Sequence, residues 1–146
     1  MDEKKINIVK KLLQTGAYLQ KTGTRITKQF GLTEQQFVVL NEIVEKGPVN
    51  QKHLVGELLF EKSNVSKIVK KLKSEELVSI STSSSDGRAT VLNSTLKGDE
   101  LWEKSINKLN EWSIKWLSPL NKKETDNALI SLEKIKQLVF NDSENK

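Results

Sequence analysis

Apolar positions recur at helical spacing over most of this chain and switch to strict alternation in one short stretch. Ile6, Val9, Leu13, Ala17 and Leu19 lie on or near one stripe, which predicts a helix over 5–29, with Gly16 and Gly23 weakening it. In "LTEQQFVVLNEIVEKGPV", Thr33 and Gln36 form a capping box. Phe37, Leu40, Ile43 and Val44 then give a buried face, and Gly47-Pro48 stops a helix over 34–46. Asn50 is placed to cap a short third helix with Val55, Leu58 and Leu59 apolar. A few residues later a fourth begins at Ser63, a good capping type, and runs to about Glu76. "LVSIST" alternates, "SSSDGR" is turn material with Gly87 at its tip, and "ATVLNS" is β-prone again, which predicts a hairpin. Two long helices follow. One covers 96–117, with Trp102, Ile106, Leu109, Trp112 and Trp116 at helical spacing. After "SPLN", Asn121 and Glu124 form a second capping box for a helix over 122–140, lined by Leu129, Leu132, Ile135, Leu138 and Val139, with a frayed polar tail.

The predicted class is therefore mainly α with one small β-hairpin. Helix, tight turn, helix at residues 50–76 is a helix-turn-helix, and the hairpin directly after it is a wing. The fourth helix is divided in character. Val65, Ile68, Val69 and Leu72 mark one buried face, yet between Lys62 and Lys73 there are five lysines and no acid. A helix that only fills a core has no use for such a face.

Composition narrows the chemistry. The 146 residues are about one domain, and 36% hydrophobic with 29% charged residues suits a globular protein. A net charge of +5 favours an anionic partner, nucleic acid or a membrane surface, although mildly basic domains are common. No cysteine is present, which removes disulfides and thiol switches, and a single histidine, His53, makes a His/Cys metal site untenable. The sequence holds no nucleophile–His–acid set and no phosphate-cradling glycine loop, so an enzyme and a bound cofactor are the weakest expectations. "MDEKKINIVKK" has no long apolar run, which points to the cytoplasm and away from a signal peptide or membrane span.

The order of elements resembles the MarR family of bacterial transcription regulators, winged helix-turn-helix homodimers, over about 5–140. "LTEQQFVVL" is similar to the family's second-helix opening, and "LVGELLFEKSNVSKIVKKLKSEELV" to the segment joining its third and fourth helices. "DGRATVLNSTLKG" resembles its wing signature, with Asp86, Arg88, Thr95 and Gly98 at the expected offsets. The chain departs from the pattern at Ser94, where the family has leucine, and at Leu59 and Glu76, where it has glycines. The resemblance implies a single MarR-like domain, with a winged DNA-binding lobe at 30–96 and dimerisation helices at 5–29 and 97–140.

On that frame the fourth helix presents Asn64, Lys67, Lys70 and Lys71 opposite its apolar face. Its first residues would enter the major groove, Asn64 facing adenine edges and Lys67 guanine O6 and N7. Ser63 and Ser66 are short enough to reach phosphate or base, Ser63 doubling as the cap. Lys62, Lys70 and Lys71 suit phosphates, while a solvated lysine face is the plainer alternative. The resemblance implies that Arg88 enters the minor groove. Asp86 would aim it or cap the turn; taken alone, Asp86-Gly87 is an ordinary hairpin turn. His53 suits a surface or capping role better than a phosphate contact, and the tryptophans suit core or dimer interface. Tyr18 and Arg25 are candidates to flank an effector pocket. The expected function is a dimeric, sequence-specific transcriptional regulator, in this family most often a repressor, reading a pseudo-palindromic operator in double-stranded DNA. The family often responds to small anionic aromatics, which leaves such an effector open. The alternative is a protein-interaction or dimerisation module on the same fold.

Overall fold

The computed structural model describes residues 1–82 and 90–145. Helix α1 is Glu3–Thr27, α2 Glu34–Lys46, α3 Gln51–Leu58 and α4 Lys62–Ser74. Strands β1 (Val78–Thr82) and β2 (Thr90–Ser94) follow, then α5 (Leu96–Leu117) and α6 (Lys122–Glu144). The expected class, mainly α with a two-stranded hairpin, is the observed one. The chain divides into two compact units, Met1–Leu109 and Asn110–Lys146, with the boundary inside α5.

In the first unit, local chemistry sets most helix starts. Asp2 accepts from the Lys5 amide to cap α1, and Asn50 accepts from the His53 amide to cap α3. The Thr33–Gln36 capping box of α2 forms as expected, both of its bonds present. Helix α1 begins earlier than expected and runs unbroken through Gly16 and Gly23. It gives way to a 3-10 turn at Lys28–Phe30, closed by Gly31 in the left-handed region at φ 79°. Across that turn the buried Thr27 hydroxyl donates to the Leu32 carbonyl at 2.8 Å. The core gathers Phe37, Val39, Leu40 and Ile43 from α2, Leu54 from α3, Val65, Ile68, Val69 and Leu72 from α4, and Leu77, Val78 and Leu92 from the hairpin. Val39 and Leu54 were not among the expected buried positions, and Leu59 lies past the end of α3.

Strands β1 and β2 pair antiparallel, Val78 opposite Ser94 and Ile80 opposite Leu92. Val49, in the link between α2 and α3, exchanges both backbone hydrogen bonds with Leu92, at 3.1 and 2.7 Å. The base of the wing is thereby tied to the segment feeding the helix-turn-helix. Leu101, Trp102, Ile106 and Leu109 of α5 pack on this core, and Trp102 Nε1 donates to Asn41 Oδ1 at 2.8 Å. Trp102 thus packs, partly buried, against the core of this unit.

In the second unit, Asn121 and Glu124 form the expected capping box of α6. Trp112 and Trp116 meet with ring centroids 5.8 Å apart. The tail expected to fray after residue 140 instead continues α6 to Glu144.

Candidate nucleic-acid interface

The chain reaches α4 through a turn that needs a left-handed residue. Leu59 takes that role at φ 56°, at a cost of about 1–2 kcal/mol for a residue with a Cβ. Helix α4 then starts at Lys62, one residue before Ser63. Its N-cap is Glu61, which makes no side-chain capping hydrogen bond. The cap expected at Ser63 is therefore incorrect. Ser63 is the second helical residue, because Glu61 already has the extended backbone (φ −61°, ψ 141°) that precedes a helix.

The two faces of α4 separate as its sequence demands. Val65, Ile68, Val69 and Leu72 are buried against α2 and α3. Each such side chain contributes about 1.5–3 kcal/mol through burial. Lys62, Ser63, Lys67, Lys70, Lys71 and Lys73 are exposed, while Asn64 and Ser66 are half-buried. Lys71 Nζ lies 2.9 Å from Glu75 Oε1, a partly solvated pair. Asn64 differs from its expected place among the free polar groups of the outer face: its Nδ2 donates to Gln35 Oε1 on α2 at 3.1 Å. Asp86 and Arg88 lie outside the described residues.

The far end of α4 is held by α5. The helix ends at Ser74, short of the expected Glu76, because Glu76 turns left-handed at φ 61°. The carbonyls of the exit are then taken in order. Lys97 Nζ donates to Glu75 O at 3.1 Å, the Thr95 hydroxyl to Glu76 O at 2.6 Å, and the Thr95 amide to Leu77 O at 3.1 Å. The same Thr95 hydroxyl accepts from the Gly98 amide at 3.0 Å, capping α5. Gly98 is required by space: a Cβ there would stand 2.0 Å from the Leu77 carbonyl oxygen. Thr95 and Gly98 of the wing signature thus acquire a shared role, a latch between the exit of α4 and the start of α5.

The pairing of α2 with α3 rests on a buried acid absent from the sequence reading. Glu42 is 8% exposed, and its Oε1 accepts from Lys46 Nζ at 3.1 Å and lies 3.0 Å from His53 Nε2. Burial pushes the Glu42 carboxyl up, but the hydrogen bonds and positive charge of His53 and Lys46 outweigh it, so its pKa lies below the ordinary value. His53 is accordingly a link between helices, neither a cap nor a free surface group. The one signal in the sequence is the Glu42–Lys46 spacing on one helix; nothing there points to His53. Glu34, half-buried over Gly23 of α1, has its carboxyl raised by desolvation. Tyr18 and Arg25, proposed from sequence to flank a pocket, are exposed on α1. Among the described residues no group of acidic, histidine or cysteine side chains could hold a metal ion, and no helix is long and apolar enough to cross a membrane.

Comparison with known proteins agrees with this architecture. Residues 30–89 match the MarR family model, a span that covers α2 through the segment between the strands. The HTH-type transcriptional regulator MgrA of Staphylococcus aureus is 30% identical over 79 residues, 54% of this chain and 54% of the relative. The chain thus spans about half the length of the curated relatives it matches. A crystal structure of the transcriptional regulator SlyA superposes with a TM-score of 0.87 at 16% identity, covering 94% of this chain and 96% of that one. A putative MarR family transcriptional regulator from Listeria monocytogenes, complexed with 26mer DNA, gives 0.85 at 21% identity over 92% and 89%. These structural likenesses carry the fold. With the family match over residues 30–89, they show a winged-helix fold whose helix-turn-helix segment is similar to the MarR family of regulators.

Proposed function

We propose that this protein is a sequence-specific, DNA-binding transcriptional regulator that works in the cytoplasm as a homodimer. The observation that carries the reading is the outer face of α4, where Lys62, Lys67, Lys70, Lys71 and Lys73 are all exposed on the second helix of a helix-turn-helix. Lys67, with Ser63 and Ser66, is assigned to the major groove, and Lys62, Lys70 and Lys71 to phosphates. Arg88 is assigned to the minor groove, with Asp86 aiming it, on the strength of the wing signature. The dimer is supported by apolar surface that a monomer would leave in water. Leu13 on α1 and Ile130 on α6 are each 69% exposed, and Ile6, Val9, Leu129 and Leu138 are exposed with them. Two such protomers would read half-sites about 34–36 Å apart, or a multiple of that spacing. Repression, and release by a small anionic aromatic, are the regulatory part of the proposal and follow the resemblance.

The test is selection of duplexes from a random pool, followed by mobility shifts on the enriched sequence and on the region upstream of the protein's own gene. The expected result is a pseudo-palindromic motif bound by a species of twice the 16.6 kDa chain mass. Arg88→Ala is expected to weaken binding severalfold while that mass persists. No enrichment and no shift at low salt would overturn the reading in favour of a protein-interaction module. For the effector, a panel of phenolic acids is expected to raise the melting temperature and release DNA; no stabilisation and no release would remove that part.

A further inference from the structure

Helix α4 has a well-held exit and an uncapped start. Its first turn has no side-chain cap, and two features fix it: the buried Val65, and the hydrogen bond from Asn64 Nδ2 to Gln35 Oε1. Gln35 stands on firm ground. It is the second residue of α2, whose first turn is closed by the Thr33–Gln36 capping box and tied to α1 by the Glu34 amide donating to Thr24 Oγ1 at 3.0 Å. Both amides are half-buried between α2 and α4. The bond to Gln35 takes one of the two NH₂ protons of Asn64 and fixes the plane of its amide against the scaffold, so the side chain is held by α2 and is not free to swing toward a base edge.

We infer that Asn64 is a positioning residue for DNA recognition, and that Gln35 is its partner. The pair sets the rotation of the uncapped first turn of α4 about its axis, and through it the direction in which Ser63 and Lys67 leave the helix. Asn64 itself reads no base. The inference rests on the proposal that α4 enters a DNA groove. It changes which residues of that groove contact specify sequence, and adds one from α2 with no sequence motif to announce it.

The test uses the full-length protein and the duplex enriched by the wild type from the random pool. Gln35→Ala, Asn64→Ala, the double variant and the exchanged pair Gln35→Asn/Asn64→Gln are compared, all checked as folded by circular dichroism. Loss of one neutral hydrogen bond predicts an affinity drop of about three- to tenfold for each single variant. The double variant is expected to bind no worse than either single one, since both remove the same link. Base preference on repeated selection should be unchanged, and the exchanged pair should recover affinity to within about twofold of wild type. A purely local packing role would lower thermal stability without this pattern of non-additive, rescuable affinity loss. A change of preferred base at one position in Asn64→Ala, with Gln35→Ala binding like wild type, would make Asn64 a base reader and overturn the inference. Losses that multiply in the double variant would overturn it as well. If the wild type enriches no duplex, the DNA-binding proposal falls and takes this inference with it; additive losses on a well-bound duplex sink the inference alone.

Discussion

Gly98→Ala puts a methyl group where the structure has no room. The added Cβ would lie 2.0 Å from Leu77 O, 3.0 Å from Leu77 C and 3.3 Å from Leu77 Cα. All three atoms are backbone, so no side chain can swing aside. A carbon over a carbonyl oxygen normally rests at about 3.3 Å or more, so the start of α5 and the exit of α4 must separate by more than about 1 Å. That movement opens the bonds from Thr95 N to Leu77 O and from the Thr95 hydroxyl to Glu76 O. Overpacking costs about 1–3 kcal/mol and each lost hydrogen bond about 1 kcal/mol, so the expected loss is about 3–5 kcal/mol. For a chain of this size that corresponds to a melting temperature lower by about 6–20 °C. The assay is thermal unfolding by circular dichroism at fixed protein concentration, since the midpoint of the proposed dimer would depend on concentration. Gly56→Ala is the matched control. Gly56 lies in α3, and a Cβ there meets nothing within 4 Å, so the same substitution should stabilise by about 0.5–1 kcal/mol. A Gly98→Ala protein melting within about 2 °C of wild type would refute the close approach of α5 to Leu77.

Glu76→Gly should raise stability by about 0.5–1 kcal/mol in urea titration. The left-handed backbone costs a glutamate about 1–2 kcal/mol, and glycine returns part of that gain as unfolded-chain entropy; an unchanged or lower midpoint would count against the strain. Glu42 should give the protein an acid-sensitive component of stability. Its folded pKa lies below the ordinary 4.5, so its contribution is fully present above that value and is lost as pH falls through the lowered one. Glu42→Gln should therefore lower stability at pH 7 by about 1–2 kcal/mol and flatten the fall between neutral pH and pH 3; a parallel acid limb in both proteins would show that the carboxylate is not the group responsible.

The elements most legible in the sequence are those whose starts are built from neighbours in the chain. Thr33 with Gln36, Asn50, and Asn121 with Glu124 each satisfy an amide three residues on, and each was readable because the partner is local. The apolar spacing of α4 gave its buried face for the same reason. Ser63 misled because residue type is only half of a cap. The other half is backbone geometry, and the left-handed Leu59 places the extended residue at Glu61. What could not be read were pairings between elements. Asn64 with Gln35 spans 29 residues and His53 with Glu42 spans 11, and neither has a local pattern. Resemblance drew attention to Leu59 and Glu76 as departures from glycine. The structure gives their physical meaning, since both occupy the left-handed backbone that glycine adopts without strain.

The lysine face of α4 as the DNA surface is tested most directly by fluorescence anisotropy of the enriched duplex across a range of salt concentrations, comparing wild type with Lys67→Ala/Lys70→Ala. Both side chains are exposed on the helix, away from its buried stripe, so the melting temperature should hold. The wild type should lose affinity steeply with salt. The variant should bind more weakly, with a log–log slope shallower by about 0.9 for each substituted lysine that touches phosphate, and with relaxed base preference if Lys67 reads a base. Equal affinity, slope and base preference in the two proteins would contradict the assignment and move any DNA contact elsewhere on the molecule.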